Sequence, residues 1–430
     1  MRTRYLRRAA AMLLLATLDV GLTPAVAQAA PAPAQCGPTF HNKLSHQPWP
    51  LSRLQPSAAW PLSRGQHVTV AVIDSGVSRT HPQMAGQVLP GVDFVKPGGK
   101  GDCDEDGHGT LVAGIIAARD IKDSWFSGVA PDARILPVRV LPDSKKYSDP
   151  TLPTRIAQAI RYAVRQGADV INLSLTTDDT PQVRSAVEYA VDHNVVVVAA
   201  AGNEGGAHQP NKPVYPAAYP GVLGVAGIDQ QGRHVSSSNV GWYVDVAAPG
   251  YAIEGPAPRG DGYVLDKEGG TSFAAAYVSG VAALVRGYNP TMRASDVVRR
   301  IEITADAPAG GRNNEVGYGV VNPYQAVATV LEGVNNRTVT ATGEMPPIKP
   351  DTDPLGAVKV VAGWSFLVSL FVAVLLLLAR PVIRRGRARG WLPAVGATDP
   401  GTPARAAVPR QRMPSTQGRV AGRAAVRPPS

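Results

Sequence analysis

Apolar strand-like runs alternate with helical patterns through the middle of the chain. Three runs rich in β-branched and aliphatic residues predict strands covered on both faces, at Val68–Ile73, Ile135–Val140 and Asp169–Leu175. Between the last two, Thr154–Gln166 carries apolar residues at helical spacing and stops at Gly167. This alternation is typical of a parallel sheet whose strands are joined by crossover helices.

The same alternation continues towards the C-terminal half. Thr180-Pro181 opens another helix, and a strand at Val195–Ala199 follows it. Further helices are predicted at Leu111–Ala118 and from Ser272 to about Arg286. We therefore predict an α/β domain at residues 68–334, with a doubly wound, mostly parallel sheet and helices on both faces.

The two ends of the chain carry targeting patterns. Residues 1–27 join a basic start, an apolar run and a small-residue cleavage site, which predicts a secretory signal peptide, with cleavage after Ala30 as an alternative. Residues 360–379 are uncharged and long enough to span a hydrocarbon core of about 30 Å as one transmembrane helix. A buried core helix is the alternative, disfavoured because the run is apolar on every face. Arginines follow at once, which places the tail in the cytoplasm and the body outside.

The net charge of +10 on 430 residues belongs to these ends. Residues 380–430 carry +10 and residues 1–27 carry +3, which leaves −3 for the rest of the chain. The basic tail is poor in large apolar residues, so we expect it to be disordered and cytoplasmic. It lacks interleaved aromatic residues, so membrane topology and anionic lipid explain it better than a nucleic-acid partner.

The chain contains two cysteines, Cys36 and Cys103. In an exported protein a lone pair is expected to form a disulfide, and a metal-binding pair is the weaker alternative. The other histidines show no metal spacing, and we expect no metal and no cofactor. The acidic residues between Asp102 and Asp106 favour a solvated loop, with a calcium loop as the alternative.

Four polar residues stand where predicted strands end or helices begin, which is where α/β proteins place their sites. Asp74 ends a strand, His108 opens a helix, Asn203 follows a strand and Ser272 starts a helix. Each alone could be a cap or a turn residue. Together they supply a nucleophile (Ser272), its base (His108), a carboxylate that orients the base (Asp74) and an oxyanion donor (Asn203).

These segments resemble the conserved boxes of subtilisin-like serine proteases, the subtilases. The matching stretches are residues 73–76, 108–110, 202–203 and 270–274. The resemblance covers about residues 68–331 and implies a subtilisin-like fold with the catalytic triad and oxyanion donor just named. It also implies a substrate-binding strand and a specificity pocket, formed by Ser174, Leu175, Thr176, Ala200, Ala201 and Gly202. Two positions depart from the family pattern: Ala276 replaces a usual Pro, and Thr176 replaces a usual Gly.

The whole layout is similar to that of the mycosins, the membrane-anchored subtilases of type VII secretion systems. Residues 28–67 are too short for the folded prodomain of many subtilases, so we expect an extension that wraps the body, and we read residues 335–359 as a Pro- and Thr-rich linker. The resemblance implies a serine endopeptidase that cleaves exported polypeptides at the outer face of the cell membrane. It also implies association with the type VII secretion membrane complex. The alternative is a structural subunit of that complex with proteolysis secondary.

Overall fold

The computed structural model describes residues 36–142, 149–205 and 212–331, with isolated helical residues between 364 and 390. The chain divides into two units, residues 1–339 and 340–430. The predicted signal peptide (1–27), the predicted linker (335–359) and most of the predicted membrane helix and tail lie outside the described residues. Within what is described, no helix is both long and apolar enough to cross a membrane.

The described strands and helices alternate as predicted between residues 92 and 200, and five further strands then follow one another before the next helix. The strands are β1 Thr39–Phe40, β2 Thr69–Asp74, β3 Val92–Asp93, β4 Arg134–Arg139, β5 Val170–Leu173, β6 Val196–Ala200, β7 Val222–Ile228, β8 Val246–Pro249, β9 Ile253–Pro256, β10 Arg259–Gly260 and β11 Tyr263–Asp266. The helices are α1 Trp49–Leu54, α2 His108–Ala117, α3 Leu152–Arg165, α4 Pro181–Asp192, α5 Thr271–Tyr288, α6 Ala294–Ile303 and α7 Pro323–Ala328, with a 3-10 helix at Pro56–Ala59.

A seven-stranded parallel sheet lies at the centre, in the order β3-β4-β2-β5-β6-β7-β8. The predicted mostly parallel α/β sheet is thereby confirmed. Register places Leu173 of β5 opposite Ile73 of β2 and Ala199 of β6. Strands β2, β5 and β6 therefore end side by side at the carboxyl edge of the sheet, where an α/β fold forms its site.

Helix α5 is buried along almost its whole length. Every residue from Thr271 to Arg286 is buried, and the helix packs against α2 and against β5, β6, β7 and β8. Such an all-round apolar helix belongs in a core. Its backbone comes close to the segment after α2, since a Cβ on Gly280 would lie 2.5 Å from Val129 Cβ. The core therefore fixes the start of α5 firmly.

The described part of the N-terminal segment, residues 36–67, lies against the body. Strand β1 pairs in parallel with β10, far along the chain. The predicted disulfide between Cys36 and Cys103 is present, with Cα atoms 4.9 Å apart. The next residue, Gly37, has φ of +89°, and a Cβ there would lie only 2.3 Å from the carbonyl oxygen of Asp104. A glycine is thus required where this segment meets the loop before α2.

Candidate active site

Asp74 and His108 form a buried hydrogen-bonded pair at the edge of the sheet. Asp74 ends β2 with its side chain fully buried, and its Oδ1 accepts a hydrogen bond from His108 Nδ1 at 2.8 Å. The same oxygen accepts the Ser75 backbone N–H at 2.7 Å. An ionised carboxylate only accepts, so Nδ1 of His108 carries a proton. In the neutral ring, Nε2 is then the free acceptor.

His108 itself is the first residue of α2, three residues earlier than the predicted helix start. Burial alone would lower its pKa. The charge and hydrogen bond of Asp74, with the charges of Asp106 and Asp104, outweigh burial and raise the pKa to about 9. The site therefore stabilises the imidazolium that forms once Nε2 has taken a proton, while the neutral ring, which is the form present above this pKa, is the one that acts as the base.

Ser272 lies at the second position of α5 and is 9% exposed. Its Oγ donates to the carbonyl oxygen of Ser174 at 3.1 Å, and Ser174 Oγ donates to the Ser272 carbonyl oxygen at 2.7 Å. Among the described contacts, the Ser272 hydroxyl therefore bonds to Ser174 rather than to His108. A hydroxyl changes acceptor by rotation about its Cα–Cβ bond, and ligand-free sites often show such looser geometry.

Asn203 has a fixed amide orientation. Its Oδ1 accepts both the backbone N–H and the hydroxyl of Thr271, each at 2.9 Å. Because the oxygen is occupied, the NH₂ group is the part of the amide left to bind a ligand. Sequence reasoning missed this role of Thr271, because its partner Asn203 lies 68 residues away along the chain.

These residues open onto one cleft of about 800 Å³. His108, Asn203 and Ser272 all line it. Four of the six predicted substrate-binding residues also line it, namely Ser174, Leu175, Thr176 and Ala200. The other two, Ala201 and Gly202, are buried and do not line the cleft. The Gly202 backbone N–H donates a hydrogen bond to Thr271 Oγ1.

One part of the cleft lining was not predicted. It comes from β11 and the turn after it, with Val264, Leu265, Asp266, Lys267 and Glu268. This strand is one half of an antiparallel hairpin with β9. Its four residues are too few to give a clear alternating pattern, so the sequence offered little signal.

The acidic loop before α2 is less solvated than predicted. Asp104 is fully buried, which corrects the expectation of a solvated loop at that position. Asp102 pairs with Arg79 at 2.9 Å, and Glu105 pairs with the buried Arg139 at 2.8 Å. Across the part of the chain that the structure describes, no group of three or more His, Cys, Asp or Glu residues could hold a metal ion.

The sequence is similar to known proteases over most of this unit. The subtilase family model matches residues 65–319. Mycosin-4 of Mycobacterium tuberculosis is 40% identical over 328 residues, which cover 67% of this chain and 70% of that protein. Mycosin-1 of the same organism is 36% identical, with 76% and 83% covered. Thermitase of Thermoactinomyces vulgaris is 40% identical, with 64% and 94% covered.

Solved structures of related proteins are also similar to this chain. The crystal structure of MycP1 from the ESX-1 type VII secretion system matches with a TM-score of 0.62 and 32% identity, covering 69% of this chain and 90% of that one. A chain in the structure of an intact ESX-5 inner membrane complex matches with a TM-score of 0.61 and 31% identity, covering 80% and 93%.

Proposed function

This chain belongs to the subtilase family of serine endopeptidases, and from that premise we propose that Asp74, His108 and Ser272 are its catalytic triad and Asn203 its oxyanion donor. The observation that carries the proposal is the 2.8 Å bond from His108 Nδ1 to a fully buried Asp74, beside a serine at a helix start in the same cleft. That bond fixes the tautomer in which Nε2 can act as a base.

The reaction follows from these positions. Ser272 Oγ turns from the Ser174 carbonyl to His108 Nε2, loses its proton to that nitrogen and attacks the carbonyl carbon of the peptide bond. The oxyanion that forms is stabilised by the Asn203 NH₂ and the Ser272 backbone N–H at the start of α5. His108 then gives its proton to the leaving amine. Water, activated by the same imidazole, hydrolyses the acyl-enzyme and restores the serine.

A fluorophosphonate probe tests the triad in the purified full-length chain. The wild type should be labelled and Ser272→Ala should not, because the probe reacts only with an activated serine. Ser237→Ala is the matched control, since Ser237 lines the same cleft without a proposed role and should keep its labelling. A folded wild type that resists the probe, or a labelled Ser272→Ala variant, would refute the assignment.

We further propose that the enzyme works at the outer face of the cell membrane with a type VII secretion membrane complex, on exported polypeptides. The support is the predicted layout, with a signal peptide (1–27), a protease domain (68–334), a membrane helix (360–379) and a basic tail (380–430). Similarity to a chain of an ESX-5 inner membrane complex supports the association. Protease added to intact cells should digest the domain and spare a tag on the tail; digestion of the tag would contradict this topology.

The similarity to a subunit of that assembly also supports a second candidate, a structural subunit whose proteolysis is secondary. The two candidates differ in what Ser272→Ala does in cells. If proteolysis is the essential role, the variant should behave like a deletion strain in a secretion assay. Secretion that survives Ser272→Ala but fails in the deletion strain would favour the structural role.

A further inference from the structure

One buried carboxylate lies between the two segments that carry Asp74 and His108. Asp104 is fully buried and accepts four hydrogen bonds. Its Oδ1 accepts from Ser75 Oγ at 2.9 Å and from Gly107 N at 2.8 Å. Its Oδ2 accepts from the Thr110 backbone N–H at 2.7 Å and from the Thr110 hydroxyl at 2.6 Å.

These bonds join the turn after β2 to the first turn of α2. Ser75, which bonds Asp104, also donates its N–H to Asp74 Oδ1 at 2.7 Å, and its Oγ accepts Gly109 N–H at 3.0 Å. Helix α2 has Gly107 at its N-cap and no side-chain cap of its own. Asp104 supplies the acceptor that a cap residue otherwise gives. One side chain thus contacts the neighbours of both members of the Asp74–His108 pair.

The bonding pattern requires an acceptor at both oxygens, because backbone N–H groups, which can only donate, face Oδ1 and Oδ2. Burial raises the pKa of Asp104 above its usual value, and the hydrogen bonds from Thr110 and Gly107 oppose that rise without cancelling it. Four donors can be satisfied together only by a group that accepts at both oxygens. A buried charge is costly unless it is well bonded, so four bonds held this close to His108 point to more than packing.

We propose that Asp104 is a positioning residue, which holds Ser75 and the first turn of α2 in one geometry so that Asp74 and His108 keep their hydrogen bond. The inference rests on the proposed triad. Asp104 does not touch the reacting atoms; it acts through Ser75, Gly107 and Thr110. Its negative charge also favours the imidazolium form of His108.

The other charged residues around His108 show which variant can serve as a control for Asp104. Asp74 and Asp106 act on His108 together with Asp104. Further out, Glu105 pairs with Arg139 and Lys96, while Asp102 pairs with Arg79. Asp102→Asn therefore removes one negative charge from the same loop without breaking a bond to Ser75 or to α2.

The test compares Asp104→Asn with Asp102→Asn in the full-length protein. In Asp104→Asn an NH₂ group faces groups that themselves donate, so the Asp74–His108 geometry loosens. We expect kcat to fall about 100-fold with KM changed less than about two-fold, because small misplacements of catalytic groups cost about that much. The acidic limb of the kcat/KM profile should also move to lower pH, which loss of stability alone would not cause. Asp102→Asn should keep the wild-type kcat.

A second pair of variants tests the inference if the Asp104→Asn protein does not fold. Thr110→Ser keeps the hydroxyl donor, and Thr110→Val removes it; the serine variant should keep kcat while valine lowers it about ten-fold. Wild-type kcat and pH profile in Asp104→Asn, or equal kcat in the two Thr110 variants, would overturn the inference while leaving the triad intact. A wild type that does not react with the fluorophosphonate would overturn the triad and this inference together.

Discussion

The proposed nucleophile and the proposed base are held by different kinds of structure. Ser272 begins α5, where every residue from Thr271 to Arg286 is buried among apolar neighbours. His108 begins α2, which is also buried, but the loop before it is held by polar and covalent links. Those links are the disulfide at Cys103, the bonds of Asp104 and the ion pair of Glu105 with Arg139.

Because of this difference, the position of Ser272 is tied to the stability of the domain, whereas the position of His108 can be changed separately. The position of Ser272 depends on the same apolar burial that keeps the domain folded, so it is lost only when the core is lost. The position and charge of His108 depend on a few bonds that can be changed one at a time. A site built in this way has a rigid nucleophile and a base whose pKa is set locally.

The largest expected effect comes from removing the covalent link on the His108 side. Replacing Cys36 and Cys103 by Ser should lower the free energy of unfolding by about 4 kcal/mol, because the bridge closes a loop of 67 residues. Urea unfolding measures the loss, and hydrogen exchange should rise in α2 before it rises in α5. Equal increases in both helices would show that the disulfide does not act selectively on the His108 side.

A cavity made in the core at α5 should lower the free energy of unfolding without changing the pKa of His108. Leu284 of α5 is fully buried, so Leu284→Ala should cost about 3 kcal/mol of unfolding free energy. The pKa of His108, followed by NMR, should not move. Leu265→Ala is the control, since Leu265 is 47% exposed and should cost under about 0.5 kcal/mol. A shifted His108 pKa in Leu284→Ala would show that the two sides are coupled.

Stability should depend on pH through His108. Its pKa is raised from 6.5 to about 9 in the folded protein, so protonation favours folding. This contribution is complete below pH 6.5 and is lost as pH rises to about 9. Between pH 6 and pH 10 the wild type should lose roughly 3 kcal/mol more than His108→Gln, measured by urea unfolding. Parallel curves for the two proteins would disprove the raised pKa.

The smallest expected effect concerns a buried hydroxyl group on α5. Tyr277 of α5 is fully buried, and its OH has no partner in the described part of the chain. Tyr277→Phe should therefore stabilise the protein by about 1 kcal/mol. Tyr219→Phe should do the opposite, because the Tyr219 OH donates to Asp179 at 2.9 Å. Thermal unfolding of the two variants gives the sign, and destabilised Tyr277→Phe would imply a bound partner for that hydroxyl.

Apolar patterning was enough to predict four of the seven strands of the central sheet and four of the seven described α-helices. Strands β2, β4, β5 and β6 lie within two residues of their predicted ends, since buried parallel strands are continuous apolar runs. The disulfide and the serine endopeptidase class were also predicted correctly. Residues Asp74, His108, Asn203 and Ser272 were found because their spacing matches a known set, and their roles stay predictions.

What the sequence did not predict depends on long-range contacts. Asp104 looked like one of several solvated acids, and only the fold brings Ser75, 29 residues earlier in the chain, to it. The bond from Thr271 to Asn203 spans 68 residues, so no local pattern signals it. The same holds for the second wall of the cleft, where β11 is placed by its pairing with β9 rather than by its own four residues.

The pairing of β1 with β10 has a consequence for the order of synthesis. Thr39 leaves the ribosome long before its partner Arg259, so the first strand to emerge is among the last to find its place. Cys36 likewise waits for Cys103. The growing chain therefore cannot complete the contacts of its N-terminal segment with the body until Arg259 has been made.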